Sequence, residues 1–266
     1  MTIRVCVAGA TGWAGSALCK GIFNAPDMEL VAGVSRSQAG KSLGDVFGIA
    51  GISTPVFGSV AEAMESKPDV VVEYTKPDYA KANILDALRG GAHVVVGTSG
   101  LGDDDYREID AAAREVKRGV LAVGNFALTA VLLQKFAEMA AKYIPHWEII
   151  DYASAGKVDA PSGTARQLAD RLSKVRESQL DVPLEAVQGP RESRGVRLNG
   201  SQVHSVRLPG YVISVDAIFG MPDQKLVIRH ESGTSAEPYV DGALLAIRKV
   251  SGLVGVHRGL DQVMEF

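Results

Sequence analysis

Histidine and cysteine are scarce in this chain. Its 266 residues contain five histidines (His93, His146, His204, His230 and His257) and two cysteines. The histidines are scattered, without H-E-x-x-H or any other ligand spacing, so the sequence offers no metal site. Cys6 and Cys19 are too few for a disulfide framework and lack C-x-x-C spacing. One falls in an apolar strand and the other on a predicted helix, which reads as buried structural thiols. A basic excess is also missing. Lysine and arginine number 28 against 31 acidic residues, for a net charge of −3. That balance excludes a dedicated nucleic-acid binder. Long apolar runs are absent as well: the longest, Val120 to Leu133, is interrupted by Asn125 and falls short of a membrane span. The N-terminus, Met1-Thr2-Ile3-Arg4, enters a strand without signal-peptide organisation, so the expected setting is soluble, reducing and cytoplasmic. What the chain does have is 46% hydrophobic residues and 29 glycines. This is ample for a buried core.

The first half alternates short β-branched runs with helical patterns. Strands are predicted at Ile3–Val7, Leu30–Val34, Val70–Glu73, His93–Val96 and Val120–Val123, with helices at Ala80–Arg89 and Asp103–Arg118. This α/β order predicts an N-terminal Rossmann-type, doubly wound parallel sheet. After Asn125 the pattern changes. A long helix over Ala127–Tyr143 precedes a strand at Glu148–Tyr152 and a helix from Ser162 to Lys174. Val212–Phe219 and Lys225–His230 read as a hairpin around Gly220–Gln224. Tyr239–Val250 forms a final helix. The expected second lobe is α+β with a mixed sheet. Residues 1–126, completed by 238–266, form the expected dinucleotide-binding domain, and 127–237 the expected substrate-binding and oligomerisation domain. The stretch Val187–Arg207, with Arg191, Arg194, Arg197 and Arg207 among Gly, Ser and Asn, reads as a solvated loop. The alternative is that one arginine reaches a phosphate or carboxylate.

The first strand runs into Gly9-Ala10-Thr11-Gly12-Trp13-Ala14-Gly15, a G-x-x-G-x-x-G variant that opens a helix. Glycines there allow a tight turn and close backbone approach to a pyrophosphate, and the helix N-terminus supplies free N–H donors. An NAD site would carry Asp or Glu about 20 residues later to hold the ribose 2′-hydroxyl. Here the run is Val34-Ser35-Arg36-Ser37. With no carboxylate, and with Ser35 and Arg36 available for a 2′-phosphate, NADPH is the expected cofactor, NADH remaining possible. Glu73-Tyr74-Thr75-Lys76-Pro77 and Gly97-Thr98-Ser99-Gly100 close two further strands. Ligands bind beyond the carboxyl ends of parallel strands, so Thr75, Gly97, Thr98 and Ser99 join the candidate cofactor site.

In the second half the densest polar segment is Lys157-Val158-Asp159-Ala160-Pro161-Ser162-Gly163-Thr164. Pro161 suits a helix start, and Gly163-Thr164 leave first-turn N–H groups open for a carboxylate, with Lys157 adding charge. Together with the loop Gly9–Gly15, Glu73-Tyr74-Thr75-x-Pro77, Val96-Gly97-Thr98-Ser99-Gly100 and Asn125-Phe126, this segment resembles the dihydrodipicolinate reductases of lysine biosynthesis. The resemblance runs nearly end to end, and the Lys157–Thr164 motif is its most specific part. It implies hydride transfer from NADH or NADPH to a cyclic imine dicarboxylate, a Rossmann lobe completed by the C-terminal helix, and a homotetramer. It implies that Gly163 and Thr164, headed by Ser162, hold a substrate carboxylate, and that Lys157 assists proton delivery. Asn125 and Phe126 would lie beside the nicotinamide.

The sequence departs from the family at one place. The family pattern E-x-H-H-x-x-K-x-D-x-P-S-G-T carries a proton-donating and a substrate-binding histidine where this chain has Ala153 and Ser154. A further family histidine is replaced near Val215-Asp216, whereas His230 matches. Reduction of C=N needs a proton as well as a hydride, and removing a positioned acid–base group costs roughly 100- to 10,000-fold. The proton-donor candidates are Lys157, Tyr152, Ser154 or a water, with Lys157 first. Three functions stay open: a reductase of the family type acting on the lysine precursor or a related imine, an NADP-dependent oxidoreductase for a small keto, hydroxy or amino acid, and a non-catalytic NADPH-binding homologue.

Overall fold

The computed structural model describes residues 2–266. In chain order its elements are β1 (Ile3–Ala8), α1 (Trp13–Asn24), β2 (Met28–Val34), α2 (Leu43–Phe47), β3 (Val56–Phe57), α3 (Val60–Ala63), β4 (Val70–Glu73), α4 (Pro77–Arg89), β5 (His93–Val96), α5 (Asp103–Glu115) and β6 (Gly119–Ala122). They are followed by α6 (Leu128–Ala141), β7 (His146–Ala153), α7 (Gly163–Ser173), β8 (Val196–Leu198), β9 (Ser201–Arg207), β10 (Ile213–Met221), β11 (Gln224–Ser232), α8 (Val240–Lys249) and β12 (Gly255–Arg258). The chain divides into two compact units, residues 1–128 with 236–266, and residues 129–235.

In the first unit seven strands lie in the order β12-β6-β5-β4-β1-β2-β3, and every pairing is parallel. Runs such as Val70-Val71-Val72 are buried on both faces, as a parallel sheet covered by helices requires. One face packs Cys6, Val71, Val94 and Val120 against Ile84 and Leu88 of α4 and Ile109 of α5. Proline at the first position of α4 and the Asp105 carboxylate on the Gly102 N–H (3.0 Å) at the head of α5 fix where those helices begin. The strand order turns back on itself at β1 and β4, so their carboxyl ends mark the switch point where α/β proteins bind ligands. Besides the expected C-terminal helix, α8, the unit gains β12 as a seventh strand beside β6.

The second unit is a mixed five-stranded sheet in the order β11-β10-β7-β9-β8. β7 and β9 are parallel, and the other neighbours are antiparallel. Trp147 and Ile149 of β7, Val215 and Phe219 of β10, Leu133 of α6 and Leu168 and Leu172 of α7 form its core. Two expectations are corrected here. The solvated loop expected over Val187–Arg207 ends at Gly195: residues 196–207 are β8 and β9, joined by Asn199 and Gly200 at φ +46° and +76°. The β10–β11 turn is Pro222-Asp223 alone, because Gly220 and Met221 still pair with Lys225 and Gln224.

Candidate active site

At two positions of the glycine loop, Gly9 and Gly15, no other residue fits. Gly9 has φ +82°, and a Cβ on it would stand 2.1 Å from the Tyr74 carbonyl oxygen. A Cβ on Gly15 would meet the Gly9 carbonyl oxygen at the same distance. The chain thus leaves β1, turns under β4 and enters α1 with its backbone bare, as a nicotinamide dinucleotide's pyrophosphate needs. Gly9 and Ala10 spend their own N–H groups on the Val34 carbonyl, at 3.0 and 3.2 Å. Ala10 is fully buried, so its part is packing. Open donors lie further on, where Gly12 caps α1 and the first turn at Trp13 and Ala14 has no preceding turn to satisfy it.

Beyond β2 and β4 lies a cavity of about 510 Å³ lined by Gly9, Thr11, Ser35, Arg36, Thr75 and Tyr79, among others. It brings together the phosphate loop, the end of β2 and the head of α4. Thr11 and Ser35 hydroxyls lie 2.8 Å apart, and the Arg36 guanidinium sits 4.1 Å over the Tyr79 ring. Lys76, Ser37, Ser59 and Asn83 complete its polar lining, which contains no Asp or Glu. Sequence reading missed Lys76, Tyr79 and Asn83, whose spacing along the first turns of α4 puts them on one face. It also missed Glu73 as an organiser. Glu73 is fully buried. One carboxylate oxygen accepts the Thr75 N–H at 3.1 Å, the Thr75 hydroxyl and the Asn83 amide at 3.3 Å.

Gly97, Thr98, Ser99, Asn125 and Phe126 follow β5 and β6 at the same end of the sheet but do not line that cavity. Phe126 is buried with its ring 5.7 Å from Tyr74, whose own ring would meet a Cβ on Gly97 at 2.5 Å. Burial pushes the Tyr74 phenol well above its usual range. Asn125 caps the next turn, its side-chain oxygen accepting the Ala127 N–H at 2.9 Å. The Thr98 hydroxyl is buried without a partner among the described residues. Such an orphaned donor is what a bound amide or ribose would satisfy. The bare loop, the acid-free cavity and this hydroxyl fit a nicotinamide dinucleotide.

In the second unit Ser162 caps α7, its hydroxyl accepting the Ala165 N–H at 3.3 Å. The helix therefore starts at Gly163, one residue after the expected Ser162, which caps it; the Ala160–Pro161 bond is cis. Gly163 and Thr164 present the first two N–H groups of an eleven-residue helix, a favourable place for an anion. The Lys157 ammonium lies 2.8 Å from the Asp159 carboxylate, and this bond holds the Asp159 carboxyl below the usual carboxylate range.

Tyr152 is corrected as a proton donor. Consecutive strand residues point to opposite faces, and Asp151 bonds the head of α7 through the Ser162 N–H at 2.8 Å. Tyr152 faces the other way. It stacks on Tyr211 with ring centres 5.0 Å apart, and its hydroxyl donates to Asp216 at 3.2 Å. Burial and the Asp216 charge raise its pKa. Ala153 is buried and Ser154 exposed, the latter's carbonyl accepting the Lys157 N–H at 3.0 Å. His230 bonds Thr129 at 3.0 Å from a buried position in β11. The arginines of 187–207 are largely engaged: Arg194 with Glu148, Arg197 with the Ser178 carbonyl at 2.7 Å, and Arg207 with Asp151 at 2.8 Å.

A seven-stranded doubly wound sheet with this loop and cavity defines a nicotinamide-nucleotide-dependent oxidoreductase. The family model described as "Dihydrodipicolinate reductase, N-terminus" matches residues 3–126, and its C-terminal counterpart matches residues 129–264. The chain is 37% identical to the 4-hydroxy-tetrahydrodipicolinate reductase of Desulfitobacterium hafniense over 265 residues, 99% of each chain. It is 36% identical to that of Geobacillus kaustophilus over 266 residues, the whole of both. Among solved structures, the dipicolinate-bound dihydrodipicolinate reductase from Paenisporosarcina sp. TG-14 superposes with a TM-score of 0.88 at 31% identity, covering 99% of this chain and 100% of that one. The chain belongs to the dihydrodipicolinate reductase family.

Proposed function

We propose that the chain reduces the C=N bond of a cyclic imine carboxylate, the lysine precursor or a close relative, with NADPH as the preferred cofactor. The observation that carries this reading is the pairing of Lys157 and Asp159 next to the open N–H groups of Gly163 and Thr164. When bound, the nicotinamide supplies a hydride. The N–H groups of Gly163 and Thr164, with the positive end of α7, hold the substrate carboxylate. Lys157 donates the proton that the imine nitrogen takes up on reduction, and Asp159 keeps that ammonium in place. Ser162 organises the turn. In the first unit the open N–H groups of Trp13 and Ala14, reached through the bare turn at Gly9 and Gly12, hold the pyrophosphate, and Thr75, Gly97, Thr98, Ser99, Asn125 and Phe126 surround the nicotinamide end. Ser35 and Arg36, with Lys76, take the 2′-phosphate, since two cations and no carboxylate line that part of the cavity.

Ala153 is a specific reason to widen the substrate beyond the lysine precursor. It offers a methyl group where the family pattern carries an acid–base histidine, which leaves Lys157 as the first choice of proton donor. A homotetramer in the cytoplasm completes the reading. Support for assembly comes from β11, a nine-residue edge strand with Leu226 and Val227 exposed, which an unprotected monomer would leave open to pairing. The test is NADPH oxidation with enzymatically generated hydroxy-tetrahydrodipicolinate and a panel of cyclic imine carboxylates. Turnover is expected with at least one, and to fall roughly 100-fold or more in Lys157→Ala while NADPH still binds. Tight NADPH binding with no turnover on any imine overturns the reading.

A further inference from the structure

Asp151 is fully buried on β7. One of its oxygens accepts three hydrogen bonds: the Ser162 N–H at 2.8 Å, Arg207 Nη2 at 2.8 Å and the Ser205 hydroxyl at 3.3 Å. The same Arg207 nitrogen donates to the Asp159 carbonyl at 2.7 Å, and Nη1 donates to the Val206 carbonyl at 2.9 Å. One ion pair thus grips the connection from β7 to α7 at two points, Asp159 and Ser162. Lys157 hangs from that connection, bound to the Asp159 side chain. Gly163 and Thr164 follow directly on the second anchored point.

Stability does not account for this pair. Buried ion pairs are commonly matched or bettered by apolar residues of similar volume. This one also leaves Asp151 Oδ1 and Arg207 Nε buried without partners among the described residues, each at a cost. The pair does something an apolar replacement cannot: its fork reaches a backbone carbonyl on the loop while its carboxylate reaches a backbone N–H at the helix head. We propose that Asp151 and Arg207 are positioning residues that hold Lys157 at a fixed spacing from the Gly163 and Thr164 N–H groups, and that they act on turnover through Lys157. This rests on Lys157 being the proton source.

The experiment is a double-mutant cycle of Arg207→Lys with Lys157→Ala, read as kcat and KM on the imine and as affinity for NADPH and for dipicolinate. Arg207→Lys keeps a charge beside Asp151, but a single ammonium cannot reproduce the planar fork. Its expected effect is a loss of about 10- to 100-fold in kcat, the scale of a misplacement near 1 Å, with NADPH affinity unchanged. In the Lys157→Ala background the same substitution should cost less than about threefold, since the group it positions is gone. Losses that multiply in the double variant would mark a merely structural role and overturn the proposal. Unchanged kcat in Arg207→Lys alone would do the same. Full turnover in Lys157→Ala would overturn the proton-source reading, and the positioning proposal with it. If Arg207→Lys fails to accumulate as folded protein, Asp151→Asn, which keeps an acceptor for Ser162, enters the same cycle under the same criteria.

Discussion

Arg36 shows how a single residue can set cofactor choice. Its guanidinium stacks on Tyr79 at 4.1 Å, with Lys76 in the same cavity and no carboxylate in the lining. A 2′-phosphate brings negative charge that NADH lacks, and a hydrogen bond to a charged group is worth about 1.5–3 kcal/mol. Arg36→Ala should therefore weaken NADPH by roughly 10- to 150-fold and NADH very little, as measured by fluorescence titration of both nucleotides. Equal weakening of the two would remove Arg36 from phosphate recognition. Arg36 was legible because a missing carboxylate at a set distance from the glycine loop is a local signal. Its partners were not, since Lys76, Tyr79 and Asn83 reach the cavity through the packing of α4. Tyr152 was misread for a related reason. In β7 both Ile149 and Ile150 are apolar, so the run does not reveal which parity faces α7.

At the level of elements, the first turn of α1 reverses an ordinary expectation. Glycine within a helix normally costs about 0.5–1 kcal/mol relative to alanine, so Gly15→Ala would stabilise an isolated helix. Here the added methyl would stand 2.1 Å from the Gly9 carbonyl oxygen, a backbone atom that cannot swing aside. The helix must shift away from the loop, at a cost of about 1–3 kcal/mol typical of overpacking. Gly15→Ala is thus expected to lower both the unfolding midpoint and the affinity for NADPH. A variant at least as stable as the parent and equally tight for NADPH would show that the loop and helix are not locked together. The β8–β9 hairpin tests legibility in another way. Asn199-Gly200 is a strong local hairpin signal, but the flanks carry Arg197, Gln202, His204 and Arg207. Those side chains are held by partners, Glu148 for His204 at 2.7 Å and Asp151 for Arg207. A sequence shows the polar residues and not the partners that let them enter a sheet, so composition outweighed the turn.

For the whole molecule, the scarce histidines govern the acid side of stability. His93 uses Nδ1 to accept the Gly119 N–H at 2.9 Å, and burial together with the Arg118 charge lowers its pKa. His230 is lowered by burial in the other unit. Both prefer to be neutral when folded, whereas an unfolded histidine titrates near about 6.5. Just below that pH the unfolded chain binds more protons than the folded one. Stability is then full above about 6.5 and declines as pH falls through the lower folded values. Carboxylates titrate near about 4 in unfolded chains, so the span from roughly pH 5 to 7 isolates the histidines. The alkaline side has the opposite sign. Burial pushes Cys6 up to about 12 and raises Tyr74 further, so their contribution is intact below an unfolded thiol value of about 8.5 and falls as pH rises past it. Urea unfolding across this range should give a plateau near neutrality with two descending limbs. His93→Asn, which keeps a carbonyl acceptor for Gly119 but cannot titrate, should make the acid limb shallower and leave the alkaline limb alone. An acid limb just as steep in that variant would show that the fold does not hold His93 neutral, and stability that increases from pH 7 to 5 in the parent would show the same of both buried histidines.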